Sequence, residues 1–140
     1  MIIMSVDLGN ARTGIAVSDS SESFAFPKEV ITEYNKEKLV DKVAAAAKNY
    51  GAELLVIGLP KNMDGSLGWR AQECTETAEQ IKEKTGIEVV MWDERCTTVM
   101  AHTALNMTDT RGKKRKQTVD AVAAVMILES YLTYRKNQKA

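Results

Sequence analysis

The chain has 140 residues, 44% of them hydrophobic and 27% charged, which is typical of one globular domain with a proper core. Lysine plus arginine number 19, as do aspartate plus glutamate, so net charge does not by itself indicate a nucleic acid, a membrane or an acidic partner. Two cysteines are too few for a disulfide framework, and no apolar stretch is long enough for a signal peptide or a membrane span. We therefore expect a single domain over residues 1–140, located in the cytoplasm and not in a membrane.

The first predicted strand, residues 2–9, is an apolar run interrupted by a carboxylate, Asp7. Side chains alternate between the two faces of a strand, so the Asp7 side chain points to the other face of the sheet from those of Val6 and Leu8. A carboxylate in that position is costly to bury unless it binds a partner. A polar turn and a second apolar run, residues 12–18, predict a β-hairpin that carries Asp7 near its open end.

The remaining elements follow from periodicity and from turn-forming residues. A third strand is expected at residues 28–32 after Pro27, and a helix at 35–50 that Gly51 ends. The pattern then predicts, in order, a strand at 53–58, a loop at 61–68, a helix at 69–84, a strand at 87–92, a short helix at 99–107, a basic connection at 108–116 and a last helix at 118–135. Three strands in a meander followed by alternating helices and strands predict an α/β fold with a mixed five-stranded sheet and helices on both faces.

Three acids occupy places that are otherwise apolar or structurally constrained: Asp7 in the first strand, Glu94 after the last strand, and Asp120 in the last helix. Asp120 shares a helical stripe with Ala123, Ala124 and Ile127, which should face the sheet. The helix macrodipole favours a carboxylate near a helix N-terminus by under about 1 kcal/mol, which is less than the cost of burying an unpaired charge. A divalent cation would resolve this mismatch.

Magnesium takes oxygen ligands from carboxylates and from substrate phosphates, and manganese favours similar ligands. Two such ions can assist in-line cleavage of a phosphodiester, and this chemistry requires no histidine. We expect the single histidine, His102, to be a surface or packing residue.

Each acid also has a structural interpretation. Asp7 could terminate a strand, Glu94 could pair with Arg95 or Arg12, and Asp120 could be an N-cap if its helix begins later. The case for function is stronger for the three acids together, because their elements should be neighbours in a sheet covered by the last helix.

Four segments together resemble the RuvX (YqgF) family. They are Asp7-Leu8-Gly9 with Arg12 and Gly14; Gly58-Leu59-Pro60 with Gly65 and Gly68; Asp93-Glu94-Arg95-Cys96-Thr97-Thr98; and Val119-Asp120 with Ala123-Ala124. The resemblance implies a ribonuclease H-like fold and a nuclease that processes the 5′ end of precursor 16S rRNA. It also implies that Asp7, Glu94 and Asp120 are the catalytic, metal-binding acids.

Several other residues are candidates for binding a polyanion. Lys113, Lys114, Arg115 and Lys116 directly precede the Asp120 segment, so their cations should lie beside the proposed metals, although such a run is otherwise a solvated loop. Arg12 and Arg95 could steady the scissile phosphate. Glycines in the 61–68 loop allow close backbone approach to a phosphate, but that segment could equally be an ordinary connection. Trp92 is expected to pack in the core, whereas Trp69 could either pack or stack on a base.

The leading hypothesis is a magnesium- or manganese-dependent endonuclease acting on precursor rRNA, as a monomer or a homodimer. One alternative is a Holliday-junction resolvase-like nuclease acting on branched DNA, and another is a non-catalytic nucleic-acid-binding module. A third, an actin-like ATPase or sugar kinase, shares the ancestral fold, but those proteins close two such domains around a nucleotide and this chain has room for one.

Overall fold

The structure is a computed structural model that describes residues 1–9, 12–59, 69–93 and 112–139, with side chains described at 1–9, 12–59, 72–92 and 122–137. The elements, in chain order, are β1 (Ile3–Asp7), β2 (Arg12–Ser18), β3 (Ala25–Thr32), α1 (Lys36–Tyr50), β4 (Leu54–Leu59), α2 (Trp69–Thr85), β5 (Glu88–Asp93) and α3 (Gly112–Lys139).

The five strands form one mixed sheet in the order β3-β2-β1-β4-β5. β1 pairs antiparallel with β2 and parallel with β4, and β4 pairs parallel with β5. The carboxyl ends of β1, β4 and β5 therefore meet at one edge of the sheet, which we call the carboxyl edge. The predicted mixed five-stranded sheet is confirmed.

Helices cover both faces of the sheet, as predicted. α1 and α2 pack on the face that carries Met4, Val6 and Leu55, and α3 packs on the face that carries Ile3, Ala16 and Val56. Asp7 alternates with Val6, so its position belongs to the α3 face.

α1 shows why its limits were predictable from local sequence. Asn35 is the N-cap and its side chain accepts a hydrogen bond from the Lys38 amide at 3.0 Å. Gly51 ends the helix with a left-handed backbone, φ 70°, which a residue without a β-carbon adopts easily.

Three sequence predictions about these elements were wrong. Asp7 lies at the turn end of the hairpin, not its open end, because it pairs with Gly14 only two residues after β2 begins. β3 begins at Ala25, so Pro27 lies inside the strand rather than before it; β3 is an edge strand with a register shift beside Pro27, and both features tolerate a missing amide. α3 begins at Gly112 rather than near Thr118, so the basic run is helical.

The expected loop at 61–68 and short helix at 99–107 lie outside the described residues, as does His102. Within the described helices, none is both long and apolar enough to cross a membrane. Cys74 is buried, whereas Cys96 lies outside the described residues.

Candidate functional site

Asp7 is the last residue of β1, and no side chain stands directly beside it on either neighbouring strand. Its antiparallel partner in β2 is Gly14. The parallel pairing of Val6 with Ile57, continued by one residue, places Gly58 on its other side. Facing residues on adjacent strands normally bring their β-carbons within about 5.5 Å, so the two glycines place no side chain beside the carboxylate on either neighbouring strand.

The Asp7 side chain is half-buried, and it has no hydrogen bond or ion pair to any side chain or backbone group among the described residues. Partial burial removes some of the water around a carboxylate, which favours a compensating charge nearby. A carboxylate of this kind is a suitable ligand for a cation that prefers oxygen.

The turn after β1 explains the glycine two residues beyond Asp7. A β-carbon on Gly9 would lie 2.3 Å from the carbonyl oxygen of Arg12, a separation that real atoms do not show. Gly9 thus allows the chain to return close to itself and begin β2. Arg12 points to the opposite face from Thr13, so it shares the Asp7 face, two residues from Gly14 toward the carboxyl edge.

α3 is held against β1 by a buried hydrogen bond. The hydroxyl of Ser5, which is fully buried, donates to the carbonyl oxygen of Ala124 at 2.6 Å. At the far end of the helix, Arg135 Nε donates to Glu22 at 2.6 Å, and Glu22 also pairs with the amino group of Met1. These contacts show that α3 runs opposite to β1, so helix positions before Ala124 lie toward Asp7.

Position 120 is one helical turn before Ala124, on the same side of α3. The structure therefore brings the backbones of Asp7 and Asp120 to the same region of the sheet. The N-cap interpretation of Asp120 is wrong, because the helix begins at Gly112. The expected macrodipole stabilisation is also wrong, since that effect fades within the first turn.

The third predicted acid, Glu94, follows Asp93, the last residue of β5, and lies with Arg95 outside the described residues. Asp93 pairs with Leu59 at the carboxyl edge, so the chain leaves β5 at the edge where Asp7 lies. Among the described side chains, no group of three or more acids, histidines or cysteines could hold a metal, and Asp7 is the one proposed ligand in that set.

Two other predictions concern the basic run and Trp92. The basic residues Lys113, Lys114, Arg115 and Lys116 occupy the first turns of α3, although their side chains are not described. Trp92 packs as expected: its ring centroid lies 5.3 Å from that of Tyr131, and its indole nitrogen donates to Ser130 at 3.1 Å.

Sequence reasoning assigned no role in the site to Ser5, Gly14 or Gly58. The two glycines belong to the segments that resemble the RuvX family, and this resemblance was the only sequence signal that pointed to them. The position of the glycines beside Asp7 depends on strand register, which the sequence alone does not give. The role of Ser5 depends on its contact with Ala124, which is 119 residues away in the chain.

The mixed sheet, with α3 packed across the strand that ends in Asp7, defines a ribonuclease H-like protein. This fold is shared with the RuvC resolvase of Thermus thermophilus bound to a Holliday junction, at a TM-score of 0.64 and 13% identity, covering 98% of this chain and 96% of that one. It is also shared with the fowlpox virus resolvase, at a TM-score of 0.59 and 14% identity, covering 96% and 99%. A match to a Thermus thermophilus hexokinase of the ROK family covers 73% of this chain but only 38% of the hexokinase chain, at a TM-score of 0.51 and 19% identity.

The chain belongs to the RuvX family, described as Holliday junction resolvase, which it matches over residues 1–134. A Bacillus cytotoxicus protein named "Putative pre-16S rRNA nuclease" is 41% identical over 135 residues, covering 94% of this chain and 98% of the relative. A Bacillus cereus protein of the same name is 39% identical with the same coverage.

Proposed function

We propose that this protein is a metal-dependent endonuclease that hydrolyses phosphodiester bonds in the 5′ region of precursor 16S rRNA. The observation that carries the proposal is the half-buried Asp7 carboxylate, flanked by Gly14 and Gly58 at the carboxyl edge of the sheet. Family membership supports nuclease chemistry, and the names of the Bacillus relatives support the RNA substrate.

The residues fit a divalent cation because Asp7 offers carboxylate oxygens with no hydrogen bond or ion pair to the described residues and no side chain beside it on either neighbouring strand. Asp7, Glu94 and Asp120 would hold Mg²⁺ or Mn²⁺. Such an ion, when bound, lowers the pKa of a water nucleophile and stabilises charge on the phosphate oxygens. Asp7 lies on a strand and position 120 lies on a helix, and regular elements of this kind would position the reacting groups at low entropic cost.

The charge at the start of α3 supports contact with a polyanion. Lys113, Lys114, Arg115 and Lys116 lie in its first turns, and that segment has no acidic residue to oppose them. Cations at the positive end of a helix macrodipole are destabilising, each typically by about 0.3–1 kcal/mol. A phosphate backbone bound there would reverse this cost, and Arg12 and Arg95 would extend the same contact at the carboxyl edge.

The test is cleavage of a labelled 16S rRNA precursor during Mg²⁺ and Mn²⁺ titrations, with a four-way DNA junction as the second substrate. Asp7→Asn, Glu94→Gln and Asp120→Asn should each abolish metal-dependent cleavage. Glu88→Gln is the matched control because Glu88 is an exposed acid at the opposite end of β5. Full activity in Asp7→Asn would refute the proposal.

A resolvase-like DNA nuclease is the second candidate, favoured by the family description and by the fold shared with RuvC. Metal-dependent cleavage of the junction in preference to the RNA would select it. Binding of either substrate without cleavage, unchanged in Asp7→Asn, would select a non-catalytic binding module.

A further inference from the structure

Ser5 forms a direct link between the two elements that carry Asp7 and Asp120. Its side chain has no exposed surface, and its hydroxyl donates to the carbonyl oxygen of Ala124 at 2.6 Å. A buried hydroxyl without a partner would be costly, so this hydrogen bond must be kept for the helix to pack where it does. The contact ties one strand to one turn of α3.

Small residues around this link bring the helix close to the sheet. Ala16, the β2 partner of Ser5, is fully buried, and so is Ala124 on the helix. Both side chains are single methyl groups. A shift of α3 along its axis would carry the Ala124 carbonyl oxygen away from the Ser5 hydroxyl and break the 2.6 Å hydrogen bond. Ser5 therefore sets the axial position of α3 relative to β1.

The two acids lie at matched distances from this link. Asp7 is two residues along β1, about 6.6 Å at the usual rise of a strand. Position 120 is four residues back along α3, about 6 Å at the rise of a helix, and α3 runs opposite to β1. A displacement of the helix at Ala124 would pass to position 120 almost unchanged, because one helical turn is stiff.

We propose that Ser5 is a positioning residue for the metal-binding acids, which it aligns through its hydrogen bond to Ala124. This inference rests on the proposed function, since it assumes that Asp7 and Asp120 share a cation. Removing the hydroxyl should weaken the binding of the cation even though Ser5 does not touch it.

Ser18 offers a matched control. It is also a buried serine in the hairpin, and its hydroxyl oxygen accepts a hydrogen bond from the Ile3 amide at 2.8 Å. That bond joins β1 to β2 at the end away from Asp7 and does not involve α3. The Ser18 hydroxyl also donates to the carbonyl oxygen of Asp19 at 3.0 Å. Ser18→Ala therefore removes buried hydrogen bonding within the hairpin without releasing the helix.

The experiment measures Mn²⁺ affinity by electron paramagnetic resonance, together with stability in denaturant and the kcat and KM of cleavage. Ser5→Ala should lower Mn²⁺ affinity by about tenfold, in the range seen when residues that orient metal ligands are removed. It should reduce kcat more than it raises KM. Ser5→Thr, which keeps the hydroxyl, should restore much of the affinity, and Ser18→Ala should retain it.

Two results would overturn the inference, and they are distinguishable. If wild-type protein binds and uses Mn²⁺ but Ser5→Ala matches Ser18→Ala in both affinity and kcat, Ser5 is structural only and the proposed function survives. If wild-type protein binds no Mn²⁺, the metal site fails and the inference fails with it. Should Ser5→Thr not fold, Ser5→Cys, a smaller change that keeps a weak donor, takes its place in the comparison.

Discussion

Asp7 lies directly opposite Gly14 in the antiparallel pair of β1 and β2. Gly14 has no side chain beside the carboxylate, and we expect the proposed cation or phosphate to bind on this side of Asp7. Gly14→Ala would place a methyl group within about 5.5 Å of the Asp7 β-carbon. We expect cleavage to fall by about tenfold or more, because small displacements of reacting groups are costly in rate.

That prediction is checked by steady-state cleavage kinetics of Gly14→Ala, with thermal unfolding measured in parallel. The melting temperature should remain near that of the wild type, since alanine is better tolerated than glycine in a strand. Wild-type cleavage by a folded Gly14→Ala protein would show that a methyl group beside Asp7 does not disturb the site.

The second prediction concerns Gly9, where a β-carbon would collide with the Arg12 carbonyl oxygen at 2.3 Å. Gly9→Ala should displace the turn that follows Asp7 and remove most of the cleavage activity. The control is Gly86→Ala: Gly86 has φ 70° but open space around it, so its replacement costs about 1–2 kcal/mol of stability by strain alone. Cleavage per folded molecule should be lost in Gly9→Ala and kept in Gly86→Ala; equal activities in the two variants would contradict the role of this turn.

The third prediction concerns the ion pairs at the opposite end of the sheet. Glu22 binds both Arg135 and the amino group of Met1, and the hydrogen bond from Arg135 to Glu22 raises the pKa of that guanidinium. Glu22→Ala should lower the free energy of unfolding by about 1–2 kcal/mol, since it leaves two charged donors without this carboxylate. Chemical denaturation measures the change.

Glu129→Ala is the control for Glu22→Ala, because Glu129 is an exposed acid on the same helix and its loss should change stability by less than about 0.5 kcal/mol. Cleavage should be unaffected in both variants, since Glu22 lies at the end of the sheet away from Asp7. Equal stability losses would mean that the paired carboxylate contributes nothing beyond an ordinary surface acid.

The fourth prediction is a pH dependence in the turn between β2 and β3. The hydroxyl hydrogen bond from Ser21, followed by the backbone amides of Phe24 and Ser23, lowers the pKa of Asp19 from 3.8 to about 2. A lowered pKa means that the stabilisation is fully present above pH 3.8 and is lost as the pH falls toward 2.

NMR titration of the Phe24 amide shift tests this dependence. The amide should titrate with a midpoint near pH 2, and Asp19→Asn should abolish the transition. A midpoint near the ordinary value of 3.8 would show that the turn does not hold the ionised carboxylate.

Much of the fold followed from local sequence. α1 was predictable because apolar spacing, the Asn35 cap and the Gly51 stop all act within a few residues of the helix. The start of α3 was missed because consecutive lysines and arginines indicate a solvated segment, yet these residues have good helix propensity and continue the helix before position 118. The cytoplasmic location, the single domain and the oligomeric state remain predictions.

The sequence by itself determined the order of strands and helices and singled out Asp7, Glu94 and Asp120, because periodicity and misplaced charge are local signals. Tertiary structure alone decided that Gly14 and Gly58 flank Asp7, and that the Ser5 hydroxyl bonds to Ala124. Register and helix placement depend on partners far apart in the chain, and a one-residue slip would turn every side chain of a strand to the other face. Such relations form only when the whole sheet and its helices pack together.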